Sequence, residues 1–242
     1  MYLWVIIATF IAALAALGTS LRPDINHLYV EPQAQTIVTK IYTQHQGMVK
    51  YAYKNNSNGE NNRASFTQGE WKPSDHKGYL PYGFKANSGV ARFTSKIYCL
   101  DKDSPTRSSL PSSCMDMSDP ENPTESTTEN CCAASGVSVY LVTFGRVPQK
   151  WKNVRTGKPS SALLNAMKDS LGYINGFGYV IDSASYQDNE GGNKYNTLGT
   201  EKGILGQGTR PYYSIPEYII NDSDFQNVCG ANNYCLIYMS SI

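Results

Sequence analysis

AQTIVTKIYTQHQGMVKYAY, residues Ala34–Tyr53, decides how the rest of the chain is read. Ile37, Ile41, Met48, Val49 and Ala52 recur at helical spacing, with Ala34 and Val38 beside them, which predicts an amphipathic helix beginning near Gln33. Gly47 weakens that helix by ~1 kcal/mol without ending it. The run NNSNGENN (Asn55–Asn62) ends it, because turn formers dominate there. An apolar stripe on one side needs a covering layer, and the sequence downstream supplies strands for one.

Directly upstream lies MYLWVIIATFIAALAALGTS (Met1–Ser20), with no charged side chain before Arg22. As a helix it would span roughly 25–30 Å, about one bilayer core. Three roles fit such a run: a retained membrane anchor, a cleaved signal peptide, or a helix buried in a soluble fold. A signal peptide opens on Lys or Arg, whereas Met1-Tyr2-Leu3-Trp4 stands here. Ala13-Leu14-Ala15 and Ala16-Leu17-Gly18 nevertheless resemble small-residue cleavage sites. Tyr2 and Trp4 suit headgroup depth. The expectation is a retained transmembrane anchor over 1–20, then a kink and the amphipathic helix over 21–54, since Pro23 and Pro32 disfavour helix just before them. Ala12, Ala13, Ala15, Ala16 and Gly18 give the anchor a small-residue face that admits a neighbouring helix. Arg22 by itself counts against export of the C-terminal side, so export rests on the cysteines.

Cys99, Cys114, Cys131, Cys132, Cys229 and Cys235 all follow the apolar run. An even count in a Tyr-, Asn-, Ser- and Thr-rich chain points to disulfides and a compartment outside the cytoplasm. Zinc would want CxxC pairs or nearby histidines, and His27, His45 and His76 lie upstream. Neighbouring Cys131 and Cys132 fit a mutual bond badly. Cys229–Cys235 makes a local clip, which leaves Cys99 and Cys114 for the vicinal two; of the 15 possible pairings, spacing chooses none outright. A net charge of +1 gives no reason to expect a nucleic-acid partner.

Residues 55–242 are expected to form one α+β domain. Val90–Leu100, Gly136–Gly145, Phe177–Ser183 and Tyr234–Ser241 read as strands. Gly136–Gly145, β-branched and aromatic, belongs near the middle of its sheet; in Val90–Leu100, Val90, Phe93 or Ile97 face in and Arg92 and Lys96 face out. Ser160–Gly172 reads as a short helix, capped by Ser160 or Ser161, with Ala162, Leu163, Ala166, Met167 and Leu171 on its buried stripe. Asp101–Ser135 reads as an irregular insertion stapled by its cysteines, and Tyr186–Pro211 as a long loop.

Signals for chemistry are weak. Gly203–Arg210 (GILGQGTR) lacks the GK[ST] ending of a phosphate loop. His45 reads as a satisfied or solvated histidine, and His76, beside Asp75, as part of a polar turn. Tyr79, Tyr82, Tyr212, Tyr213 and Tyr218 read as core and sheet residues, with a carbohydrate- or protein-binding face as the sharper alternative. No catalytic, cofactor-binding or metal-ligating residue is assigned, and an exported hydrolase is the remaining enzymatic alternative.

An apolar N-terminal helix, an amphipathic helix continuing it and an exported disulfide-bonded antiparallel domain together resemble the type IV pilin architecture. More closely, the chain is similar to the PilM proteins of type IVb thin-pilus systems. The similar stretches are the anchor running into Ala34–Tyr53, the strand with VPQKW (Val147–Trp151) after it, and Ser214–Met239, where SIPEYII precedes YCLIYM. The resemblance implies an inner-membrane protein with its domain in the periplasm, non-enzymatic, whose partners are pilus assembly proteins or pilins and, through Met1–Ser20, the lipid bilayer. Pilins carry a Glu at the fifth position, where Val5 stands here. That favours an accessory role over a filament subunit or tip adhesin.

Overall fold

A computed structural model describes Ile7 and residues 32–54, 68–86, 89, 91–101, 115–116, 124–125, 132, 136–171, 176–182, 202–205, 212–230 and 234–242. Apart from Ile7, the expected anchor with Ala12, Ala13, Ala15, Ala16 and Gly18 lies outside the described residues, as do Cys114 and Cys131. Among the described residues no helix is long and apolar enough to cross a membrane.

The fold is α+β. Helix α1 covers residues 32–54 and is followed by strands β1 (Gly69–Glu70), β2 (Thr94–Asp101), β3 (Met115–Asp116), β4 (Thr124–Glu125) and β5 (Val137–Arg146). Then come helix α2 (Ser161–Leu171), strands β6 (Phe177–Asp182), β7 (Lys202–Leu205) and β8 (Tyr212–Ser214), helices α3 (Glu217–Asn221) and α4 (Ser223–Cys229), and strand β9 (Cys235–Ser241). Seven strands form one antiparallel sheet in the order β1-β2-β5-β9-β6-β7-β8, and β3 and β4 pair separately. The last strand therefore sits in the middle. Because β5 and β6 both run antiparallel to β9, they are parallel to each other, and the chain needs a crossover to join them. That crossover contains α2.

Alternation along each strand sorts the core into two faces. On one face α1 and α2 cover the sheet: Ala34, Ile37, Val38 and Ile41 of α1 meet Leu163, Ala166 and Met167 of α2 over Phe177, Leu236 and Tyr238. Full burial of one such large apolar side chain contributes ~1.5–3 kcal/mol. Ser160 Oγ accepts from Leu163 N at 3.4 Å, as expected for the start of α2. On the other face α3 and α4 complete a third layer, with Phe225 packed edge-on against Phe144 at 5.2 Å.

This second layer corrects the expected outward face of β2. Lys96 does not point into water: its Nζ lies 2.9 Å from Asp222 Oδ2 and 2.6 Å from Asp224 Oδ2. Burial lowers the Lys96 pKa, but the two carboxylates outweigh it and hold the ammonium above its ordinary range. Asp222 also caps α4, accepting from Asp224 N and Phe225 N, each at 3.0 Å. Two irregular assignments are corrected as well. Lys202–Leu205, expected inside a loop, is a strand because Gly203–Leu205 pair with β8 while Lys202–Leu205 pair with β6; residues 186–201 and 206–211 of that expected loop lie outside the described residues. The insertion over 101–135 holds the β3–β4 pairing.

Two disulfides join described residues. Cys99 bonds Cys132 with Cα atoms 5.2 Å apart, and Cys229 bonds Cys235 at 5.4 Å. The local clip is as expected, and the bond from Cys132 to Cys99 excludes a bond within the vicinal pair. Closing the 33-residue separation between Cys99 and Cys132 stabilises the fold by about 3–4 kcal/mol in the chain-entropy account.

The entry to β6 is the tightest backbone approach. Gly176 has φ +78°, and a Cβ there would sit within van der Waals exclusion of the Met239 carbonyl. The two strands are also tied at this point, since Met239 N donates to Gly176 O at 2.9 Å. Gly83 has a similar φ of +79° with open space around it. Gly176→Ala is expected to cost about 3–5 kcal/mol, combining left-handed strain with overpacking, and Gly83→Ala about 1 kcal/mol. Urea denaturation of both variants checks this; equal losses would show that the contact with β9 does not matter.

Candidate functional site

Most of α1's buried face is apolar, but at its centre Gln44 and His45 are fully buried. Buried polar groups need partners, and the sheet provides them for Gln44 Nε2 and both His45 ring nitrogens through hydroxyls on three adjacent strands, while Gln44 Oε1 is buried without a hydrogen-bond partner among the described residues. Gln44 Nε2 donates to Ser95 Oγ at 3.0 Å and to the Phe93 carbonyl at 2.9 Å. Ser95 Oγ lies 2.9 Å from Thr143 Oγ1, Thr143 Oγ1 lies 3.1 Å from His45 Nδ1, and His45 Nε2 lies 2.9 Å from Ser240 Oγ. The direction that uses every proton along this chain runs from Gln44 to Ser95, to Thr143, to His45 Nδ1, with Nε2–H donating to Ser240. His45 is thereby fixed as the Nε2–H tautomer. Its ring stacks on Tyr238, centroids 3.8 Å apart.

Register explains why these residues meet. Ser95 pairs with Thr143 and Thr143 with Tyr238, so all three side chains point to the α1 face. Ser240, two residues along β9 from Tyr238, does too. Burial holds the His45 pKa down at about 3. His45 is thus satisfied, as its sequence setting suggested, and it is part of the scaffold.

The same helix also reaches the backbone leading into β2. Entering β2, the carbonyls of Ala91, Phe93 and Ser95 accept from Lys40 Nζ at 2.7 Å, Gln44 Nε2 at 2.9 Å and Trp71 N at 2.8 Å. Further along, Cys99 N donates to Gln68 Oε1 at 3.3 Å.

At the C-terminal end of α1 an aromatic cluster fixes the segment after β1. His76 stacks on Trp71 at 5.3 Å and lies 4.5 Å from Tyr51, and Tyr79 stands edge-on to Tyr51 at 5.3 Å. Leu80 fills the space over Gly47, where a Cβ would come 2.5 Å from Leu80 Cδ2. The glycine that weakens the helix is the place where this segment docks. Between the segment and the start of β2 runs a groove of 890 Å³ lined by Trp71, Leu80, Tyr82, Phe84 and Phe93, with Glu70, Lys72, Lys77 and Lys85 among its polar residues. Tyr82 is fully exposed.

The tyrosines divide accordingly. Tyr79 packs in the aromatic cluster, and Tyr218 stands edge-on to Tyr98 at 6.4 Å. Tyr82 has no packing role. Tyr212 and Tyr213 lie in β8, and their side chains fall outside the described residues. Gln44, Ser95, Thr143 and Ser240 were not singled out in the sequence. The available signal was that the period carrying Ile37, Ile41, Met48 and Ala52 also runs through positions 44 and 45. No family model, curated protein or solved structure matches the chain.

His45 gives the fold an acid dependence whose sign follows from its pKa. The folded imidazole stays neutral down to about pH 3, while the unfolded one protonates near 6.5. The native state therefore has its full stability above pH 6.5 and loses it as pH falls from 6.5 toward 3. Between pH 6.5 and about pH 5 the loss attributable to His45 is about 2 kcal/mol. Denaturant titrations at the two pH values check this against His45→Gln, which is less stable throughout but has a flatter slope; identical slopes would remove His45 from the account.

Proposed function

We propose that the protein is a membrane-anchored, extracytoplasmic component of a type IV pilus biogenesis or basal-body apparatus, acting by protein–protein interaction and without catalysis. The observation that carries this reading is the position of α1: it follows the apolar Met1–Ser20 stretch in the chain and ends buried in a disulfide-braced antiparallel sheet. Such an arrangement suits a protein held at a membrane surface, because the helix that follows the apolar stretch in the chain is packed into the domain core. Disulfides between Cys99 and Cys132 and between Cys229 and Cys235 suit an oxidising compartment such as the periplasm.

A filament subunit is the second reading. One observation favours it: Thr36, Thr39, Lys50 and Tyr53 leave an exposed strip along α1 on which neighbouring copies would pack.

Shearing filaments from producing cells and blotting the sheared, membrane and soluble fractions separates these readings. Recovery in the membrane fraction alone is the expected result. Recovery in sheared filaments would replace the accessory role with the subunit role, and recovery in the soluble fraction alone would defeat both.

A further inference from the structure

We infer that the groove between β2 and residues 72–86 is a binding site for an acidic oligosaccharide. The inference rests on the groove's own geometry and stands apart from the pilus reading. The volume of 890 Å³ falls within the range of about 300–1,000 Å³ typical of small-ligand sites. Its walls are held in place by the stacking of His76 on Trp71 and by Leu80 seated over Gly47, so the site exists before any ligand arrives.

Three features select the ligand. First, Tyr82 is fully exposed between Pro81 and Gly83, and folding gains nothing from an aromatic ring there. A flat ring standing in water at the lip of a groove suits the apolar C–H face of a sugar, with the phenol hydroxyl left to hydrogen-bond. Second, among the described lining residues Lys72 and Lys77, with Lys85 beside them, outnumber the one carboxylate, Glu70, which lies 3.8 Å from the Lys72 ammonium. The site is therefore net cationic and complementary to carboxylates. Third, the carbonyls of Ala91, Phe93 and Ser95 beside the groove already accept from Lys40, Gln44 and Trp71. A peptide adding to a sheet gains its affinity from such main-chain groups, and these three are not on offer. Recognition falls to ring faces and cations, which a uronic-acid oligosaccharide matches and an acidic peptide matches only by charge.

The test uses the full chain in detergent micelles, titrated calorimetrically with tetragalacturonate, with cellotetraose and with tetraglutamate. The expected result is saturable binding of tetragalacturonate, weaker by roughly tenfold for either comparison ligand. Tyr82→Ala should weaken tetragalacturonate binding by roughly tenfold, as loss of one aromatic contact does. Lys72→Gln combined with Lys77→Gln should bring tetragalacturonate down to the level of cellotetraose. All of these side chains are exposed, so the variants fold, and a circular dichroism melt of each confirms it. Absence of tetragalacturonate binding would overturn the inference. So would tetraglutamate binding as tightly as tetragalacturonate with Tyr82→Ala silent, which would make the groove a cationic surface for acidic peptides. Equal affinity for cellotetraose would overturn it too, by removing the role of charge.

Discussion

Gln44 and His45 are placed where water cannot reach them, and the sheet has to take the place of that water. This constraint organises the structure. An apolar stripe alone tolerates sliding and rotation of a helix on a sheet, because dispersion and area burial are non-directional. Hydrogen bonds to Ser95, Thr143 and Ser240 are not. They come from three neighbouring strands and are satisfied together in one register, and a mispositioned α1 would leave several buried polar groups unpaired. Once α1 is fixed, Lys40 and Gln44 reach the carbonyls leading into β2, Gly47 faces Leu80, and the aromatic cluster around Trp71 forms. The occupied carbonyls and the groove beside them both follow from where the helix lies.

Much of this architecture is legible in the sequence, for identifiable reasons. The period of Ile37, Ile41, Met48 and Ala52 predicted α1. The β-branched and aromatic run at Gly136–Gly145 predicted β5, which lies between β2 and β9. Ser160 and the stripe of Leu163, Ala166 and Met167 predicted α2. These signals are local, strong and periodic. The helices α3 and α4 were missed because SIPEYIINDSDFQNVC supplies only short turns, where Pro216 and Asp222 as a cap matter more than period. Missing them left one face of β2 assigned to solvent, and so hid the pairing of Lys96 with Asp222 and Asp224. β7 was missed because Lys202–Leu205 is four residues long in a Gly-rich setting, and its strand character comes from pairing on both sides. The polar seam was half legible: His45 could be read as satisfied, but its partners Thr143 and Ser240 are 98 and 195 residues away, a separation no local pattern conveys. The groove was least legible, since its residues come from two segments joined only by the fold.

The functional picture divides along the same lines. α1 is integral to the domain core, with Ile37, Val38, Ile41 and Met48 all buried. The disulfides from Cys99 and Cys229 fasten Cys132 of the insertion to β2 and clip the α4–β9 junction. Binding energy at the groove then need not be spent on ordering it.

Native-state hydrogen exchange of α1 tests the central claim, that this helix is part of the cooperative core. The account predicts that amides over Ile41–Met48 exchange only through the global opening that also releases β5 and β9. Exchange of those amides at a free energy well below that of the two strands would make α1 a separable appendage and contradict the account.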